Sequence, residues 1–107
     1  MIGIIWYYEN KDQAFELLKK IQRGYENLNI GTKIRTIKTN IALYCDNEDI
    51  WRIYPARPSS KDHRCNISYI EYGTPKEIIA TLIRPCTTAY PYSAFNYYGG
   101  PTDGIDS

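Results

Sequence analysis

DIWRIYPARPSSKDHRCNISYIEYGTPKEIIATLIR, residues 49–84, reads as strand, basic loop, strand and capped helix. In DIWRIY, Trp51 and Ile53 fall on one face and Arg52 and Tyr54 on the other, the period of two that a half-buried strand requires. Pro55 and Pro58 end that run, because proline has no amide hydrogen to give to a ladder. Asn66 to Tyr72 (NISYIEY) is a second β-rich run, and Gly73 turns the chain. Thr74-Pro75-Lys76-Glu77 has the order of a helix start, with Thr at the cap, Pro at the first position and Glu at the third. Ile78, Ile79, Leu82 and Ile83 form one apolar stripe, and Pro85 is expected to stop the helix after Arg84. These two strands and this helix are predicted to centre the core.

Upstream, Ile2 to Tyr8 is an apolar run rich in β-branched and aromatic residues, which predicts a central strand covered on both faces. Asn10 stands as an N-cap with Gln13 three residues on. The helix it opens runs from Lys11 to about Leu28, with Ala14, Leu17, Leu18, Ile21, Tyr25 and Leu28 on one stripe. Asn29-Ile30-Gly31 is a turn. Thr32 to Lys38 (TKIRTIK) reads as a partly exposed strand carrying three cations, with Ile34 and Ile37 toward opposite faces. Ile41–Cys45 and Ile50–Tyr54, joined by the polar turn Asp46-Asn47-Glu48-Asp49, predict a hairpin.

The fold expected is therefore α/β: a single small domain, with a mixed sheet of about five strands and two helices in the order β-α-β-β-β-β-α. The domain spans 1–85. Residues 86–107, rich in Tyr, Gly and Pro, have no helical period and read as a tail that packs on the domain or on a partner, with a mobile end. A chain of 107 residues has room for one core.

Composition narrows the function. Lys and Arg number 13 and Asp and Glu 12, so the net charge is +1, and any argument for a nucleic-acid partner rests on local clusters. Nothing resembles a signal peptide, and no run approaches the roughly 20 apolar residues that span a bilayer. The expected location is cytoplasmic, in a host cell, with no membrane partner. Cys45, Cys65 and Cys86 are odd in number and widely spaced, which fits reduced thiols. Tyrosines number 11 against two phenylalanines, a balance suited to strand packing or to a recognition surface.

No phosphate-loop, dinucleotide, zinc-protease or CxxC motif is present. No cofactor, metal site or catalytic role is expected. The densest cluster of donors is the loop Arg57, Ser59, Ser60, Lys61, His63 and Arg64. Guanidinium forks, an ammonium and hydroxyls suit a phosphate or carboxylate, so these six are the candidate ligand-binding residues. Tyr90, Tyr92, Phe95, Tyr97 and Tyr98 are the candidate partner contacts, able to stack on bases or to pack on a protein. Ile67–Glu71 is an apolar strand ending in a carboxylate, the arrangement that carries an acid to magnesium in phosphate-loop ATPases.

Taken together, the opening strand IGIIWYYEN, the helix KDQAFELLKKI, the stretch CDNEDIWRIYPARPSSKDHRC and the run NISYIEYGTPKEII resemble part of the ATPase core of phage terminase large subunits, the DNA-packaging motors. The resemblance covers about residues 2–83. It departs from the family in three places. The phosphate loop is missing, Lys61-Asp62-His63-Arg64 stands where an Arg-Gly pair is expected, and Glu71 is followed by Tyr72 instead of a second acid. The resemblance implies a phage or prophage origin and a sheet of phosphate-loop type without its motor. The function expected is a small non-enzymatic binding protein of a phage or mobile element. It would act in counter-defence by inhibiting a host protein, or bind an anionic, nucleotide-like ligand. The alternative is a degenerate terminase-like accessory domain that contacts nucleic acid or a packaging motor. A homodimer is the expected oligomer if the aromatic tail is a contact surface.

Overall fold

The computed structural model describes residues 1–38, 40–88 and 93–100. A six-stranded sheet, ordered β2-β3-β4-β1-β5-β6, is built from β1 (Ile2–Tyr7), β2 (Thr32–Ile37), β3 (Asn40–Cys45), β4 (Ile50–Pro55), β5 (Ile67–Glu71) and β6 (Ala94–Tyr98). The half β4-β1-β5-β6 is parallel and the wing β2-β3-β4 is antiparallel. The sheet is mixed and the class is α/β, as the patterns predict. The sixth strand, beyond the five or so expected, lies within 86–107: Ala94–Tyr98 pairs in parallel with β5. AFNYY lacks the alternation of a half-buried strand, which is why its pattern does not announce it.

Helix α1 (Lys11–Asn27) begins as predicted, with the Asn10 side chain accepting from the Gln13 amide. It passes Gly24 and ends in a Schellman turn. The Asn29 amide donates to Glu26 O, the Ile30 amide donates to Tyr25 O, and Asn29 takes a φ of 62°. Asparagine tolerates that left-handed conformation better than most residues.

The second helix, α2, occupies residues 76–86 and departs from expectation at both ends. Thr74 does not cap it. The Thr74 hydroxyl donates to Glu71 O at 2.7 Å, and Pro75, with ψ of 140°, holds the cap position. Nor does Pro85 stop it, since helix continues through Cys86. Between Ile79 and Ile83 the helix widens to a π turn, and the Arg84 amide donates to Ile79 O, five residues back. A proline breaks the ordinary ladder by its missing N–H and its ring, and a widened turn just before it takes up that break.

The two helices lie on opposite faces. Ile5, Leu43, Trp51 and Ile53 of the sheet are buried with Ala14 and Leu18 of α1. Ile4, Trp6 and Ile70 are buried with Leu82, Ile83 and Cys86 of α2. Each fully buried aliphatic side chain contributes about 1.5–3 kcal/mol, so β1, which feeds both clusters, is the centre of the core. Gly3 is required there: a Cβ would run into the ring of Trp51.

A buried polar chain ties α2 to the sheet. The Thr87 hydroxyl donates to Ile83 O at 2.7 Å, so the 2.6 Å contact between Ser68 and Thr87 has Ser68 as donor. The Ser68 oxygen then accepts from Trp6 Nε1 at 2.9 Å and from the Cys65 thiol at 3.3 Å. Cys45, Cys65 and Cys86 are all buried free thiols. Among the described residues no helix is long and apolar enough to cross a membrane.

Candidate functional site

In an open α/β sheet, ligands commonly settle beyond the carboxyl ends of the strands, where neighbouring connections leave on opposite faces. Here that crevice lies between β1, which leads to α1 on one face, and β5, which leads to α2 on the other. It is filled by the protein itself. Glu71 Oε1, at the end of β5, accepts from the backbone amides of Tyr8, Glu9 and Asn10 at 2.7, 3.0 and 3.2 Å. The residue is 7% exposed. Three converging amides at a helix N-terminus form the cradle that phosphate loops offer to phosphate. In this chain a carboxylate takes the place of the anion. Glu71 is thus committed to the backbone of the β1–α1 turn, a role different from the magnesium-directed acid that the strand pattern suggests. Burial, and next the charge of Glu71, raise the phenol of nearby Tyr98 above its ordinary pKa. The Tyr98 hydroxyl donates to Trp6 O at 2.8 Å.

The loop after β4 starts at the same end of the sheet, held by the Ala56 amide on Tyr7 O. Its six candidate residues part ways. Arg57, Ser59, Lys61 and Arg64 are exposed, while Ser60 is buried. Arg64 donates to the Thr88 hydroxyl at 3.2 Å. Lys61 borders a cleft of about 110 Å³ with Pro58, Ile78, Thr81 and Leu82. His63 lies flat on Tyr54, with ring centroids 3.8 Å apart and planes 10° from parallel. Burial, and then the charge of Arg52, hold its imidazole below the ordinary pKa. Among the described residues no hydrogen bond or ring contact joins these six side chains to one another.

Of the aromatic candidates, Tyr90 and Tyr92 lie outside the described residues. Phe95 and Tyr97 project from the edge strand on the α2 side, with the Arg84 guanidinium 5.6 Å from the Phe95 ring centroid. Tyr97 is 61% exposed, and Tyr98 points the other way into the core beside α1.

A second group of cations without a salt bridge among the described residues lies on the antiparallel wing. Register places Lys33 beside Tyr44, then Arg35, Ala42 and Arg52 in one row, then Ile37 beside Asn40. All of these side chains face the side of the sheet that carries α2. That helix rests on β1 and β5, so this part of the wing stays uncovered: Lys33, Arg35, Ile37, Asn40 and Tyr44 are exposed. The result is two adjoining depressions, of about 650 and 160 Å³, that share Arg35, Ile37 and Tyr44. Ala42 floors the smaller one between Arg35 and Arg52, and Tyr54 closes its inner end. Among the described residues no carboxylate forms a salt bridge with Lys33, Arg35 or Arg52. Alternation in TKIRTIK already places Lys33 and Arg35 on one face. That Arg52 joins them across Ala42 follows only from strand register.

No family model matches the chain, and no curated protein matches its sequence. Among solved structures, the fold is similar to part of the large terminase of a thermophilic bacteriophage, with a TM-score of 0.58 and 8% sequence identity. The match covers 99% of this chain and 29% of that one, so the likeness is one of fold, over less than a third of the terminase.

Proposed function

We propose that this protein is a non-catalytic binding module of a phage or mobile element, and that its partner is a nucleic acid held on the open face of the antiparallel wing. One observation carries the reading: Lys33, Arg35 and Arg52 share an uncovered sheet face with Tyr44, and no acid among the described residues neutralises them. Cations of this kind hold phosphates and give affinity that falls as salt rises. The net charge of +1 does not oppose it, because three of the 13 cations share this one face. The crevice where such folds take ligands is occupied by Glu71, which favours binding on the wing over nucleotide turnover at the strand ends. The fold likeness to a phage large terminase agrees with a phage origin and with a nucleic-acid partner.

The test is fluorescence anisotropy with a labelled oligonucleotide across a salt series. Binding is expected at low salt, and the double variant Arg35→Ala, Arg52→Ala is expected to lose roughly one to two phosphate contacts' worth of salt dependence, a slope change of about 0.7–0.9 per contact. Absence of binding at low salt, or a double variant that binds like the parent, sinks the proposal.

A protein partner is the second reading, favoured by the exposed Phe95 and Tyr97 on the edge strand. It covers both a host target, as in counter-defence, and a second copy of the chain. Light scattering of the parent and of Tyr97→Asp tests the second copy: loss of a dimer in the variant supports it, and a monomeric parent rules it out.

A further inference from the structure

We infer that the strand held on this face is single-stranded, with its bases stacked on Tyr44 at one end and on the His63–Tyr54 pair at the other, and one phosphate clamped between Arg35 and Arg52. The inference rests on the nucleic-acid reading above and narrows it.

The geometry favours unpaired bases over a duplex. Duplex sequence is read by an element that enters a groove, a helix or a two-stranded ribbon. The cations here lie on a sheet face, Lys33 and Arg35 on the edge strand β2 and Arg52 on β4, with β3 between them, and no helix or ribbon carries them outward as a ridge. A sheet face with interleaved aromatics and cations suits splayed bases, which offer a π-face whatever their sequence. Tyr44 is the aromatic ring available for this: it is 36% exposed, and among the described residues no other ring packs on it.

Tyr54 is enclosed. Trp6 lies tilted against it with centroids 6.2 Å apart, and His63 covers a face at 3.8 Å. The stacking platform at that end is therefore the two-ring pair, which His63 completes from the loop. The imidazole is held below its ordinary pKa, which keeps it an uncharged ring at neutral pH.

Register supplies the spacing. Tyr44 and Tyr54 lie one row to either side of the Arg35–Ala42–Arg52 row, on adjacent strands. From standard strand dimensions their backbones are about 14 Å apart, and the two arginine backbones about 10 Å apart across the small Ala42 floor. That span accepts two or three nucleotides, with a phosphate over the arginine pair and bases outward of it. Asp46 lines the larger depression beyond Tyr44, and Asp62 acts on His63 at the other end.

The experiment compares a labelled 12-mer of thymidine, the same length of duplex, and inorganic polyphosphate as competitor, at low salt. The 12-mer is expected to bind at least about tenfold more tightly than the duplex, since stacking on each base strengthens binding by roughly five- to a hundredfold. Tyr44→Ala is expected to weaken the 12-mer roughly tenfold and to leave polyphosphate unchanged, and Tyr44→Phe to retain binding. His63→Ala is expected to act in the same direction as Tyr44→Ala. Equal affinity for 12-mer and duplex, or a Tyr44→Ala loss of the same size for polyphosphate, overturns the single-strand inference and leaves the nucleic-acid reading standing. Failure of the parent to bind any of the three overturns both. Tyr44 is a surface residue, so circular dichroism of the variants should match the parent.

Discussion

The Glu71 carboxylate should be the polar group whose loss costs this fold most. Its Oε1 accepts three backbone amides, at 2.7, 3.0 and 3.2 Å, from a turn whose own residues are exposed. A hydrogen bond to a charged group contributes about 1.5–3 kcal/mol. Three donors on one oxygen share that benefit, and water replaces part of it at an exposed turn. Glu71→Ala should therefore destabilise by about 2–4 kcal/mol. Glu71→Gln keeps an acceptor of the same shape and loses only the charge, including its favourable place at the N-terminus of α1, at a cost of about 1–2 kcal/mol. In a domain of this size 1 kcal/mol moves Tm by about 4–8 °C. Gln should thus lower it by roughly 5–15 °C and Ala by more. Urea unfolding followed by tryptophan fluorescence, with Tm from circular dichroism, measures both. The reasoning fails if Gln lies within about 0.5 kcal/mol of the parent, the ordinary range for a surface substitution. Equal costs for Gln and Ala would show that the charge, and not the acceptor geometry, is what the cradle requires.

Three further outcomes follow from the core and the loop. Ser68→Ala removes the hydroxyl that accepts from Trp6 and Cys65 and donates to Thr87. It should cost about 1–3 kcal/mol in urea unfolding, because buried partners are left without a bond, and a neutral result would refute the donor chain. Gly3→Ala puts a methyl into the ring of Trp51. Overpacking of this kind costs about 1–3 kcal/mol, and a variant as stable as the parent would show that the ring can move aside. His63 has its pKa lowered from 6.5 by burial and then by Arg52, so the native state binds its proton less readily than the unfolded chain. Its contribution to stability is complete above that pH and is lost as pH falls below it. An NMR titration of this one histidine should give a midpoint under 6.5, and a midpoint at or above it would contradict the stack on Tyr54.

Much of the fold is local and can be read from residue order. The opening apolar run is central because both its faces are buried, Ile4 and Trp6 under α2 and Ile5 under α1. Asn10 caps α1, and the polar turn at 46–49 closes a hairpin with Trp51 and Ile53 inward. These features depend on neighbours within a few residues, so period and capping chemistry suffice. The ends of α2 show where that reach stops. Thr74 has the residue type of a cap, but Glu71 O lies within reach of its hydroxyl and competes for it. Pro85 has the residue type of a stop, but a π turn absorbs it.

Sequence alone determined an α/β domain, a central first strand, a basic loop and an acid at the end of β5. Tertiary structure decided what those parts do. Pairing with β5 made a sixth strand of Ala94–Tyr98, because a parallel edge needs an exposed ladder to join and that ladder lies more than 20 residues away. Juxtaposition of β1 and β5 turned Glu71 toward amides 61 to 63 residues earlier. Register across β2, β3 and β4 set Arg35 and Arg52 either side of Ala42. Each of these is a contact between distant residues, and the pattern along a strand specifies which face a side chain takes without specifying its neighbour on the next strand.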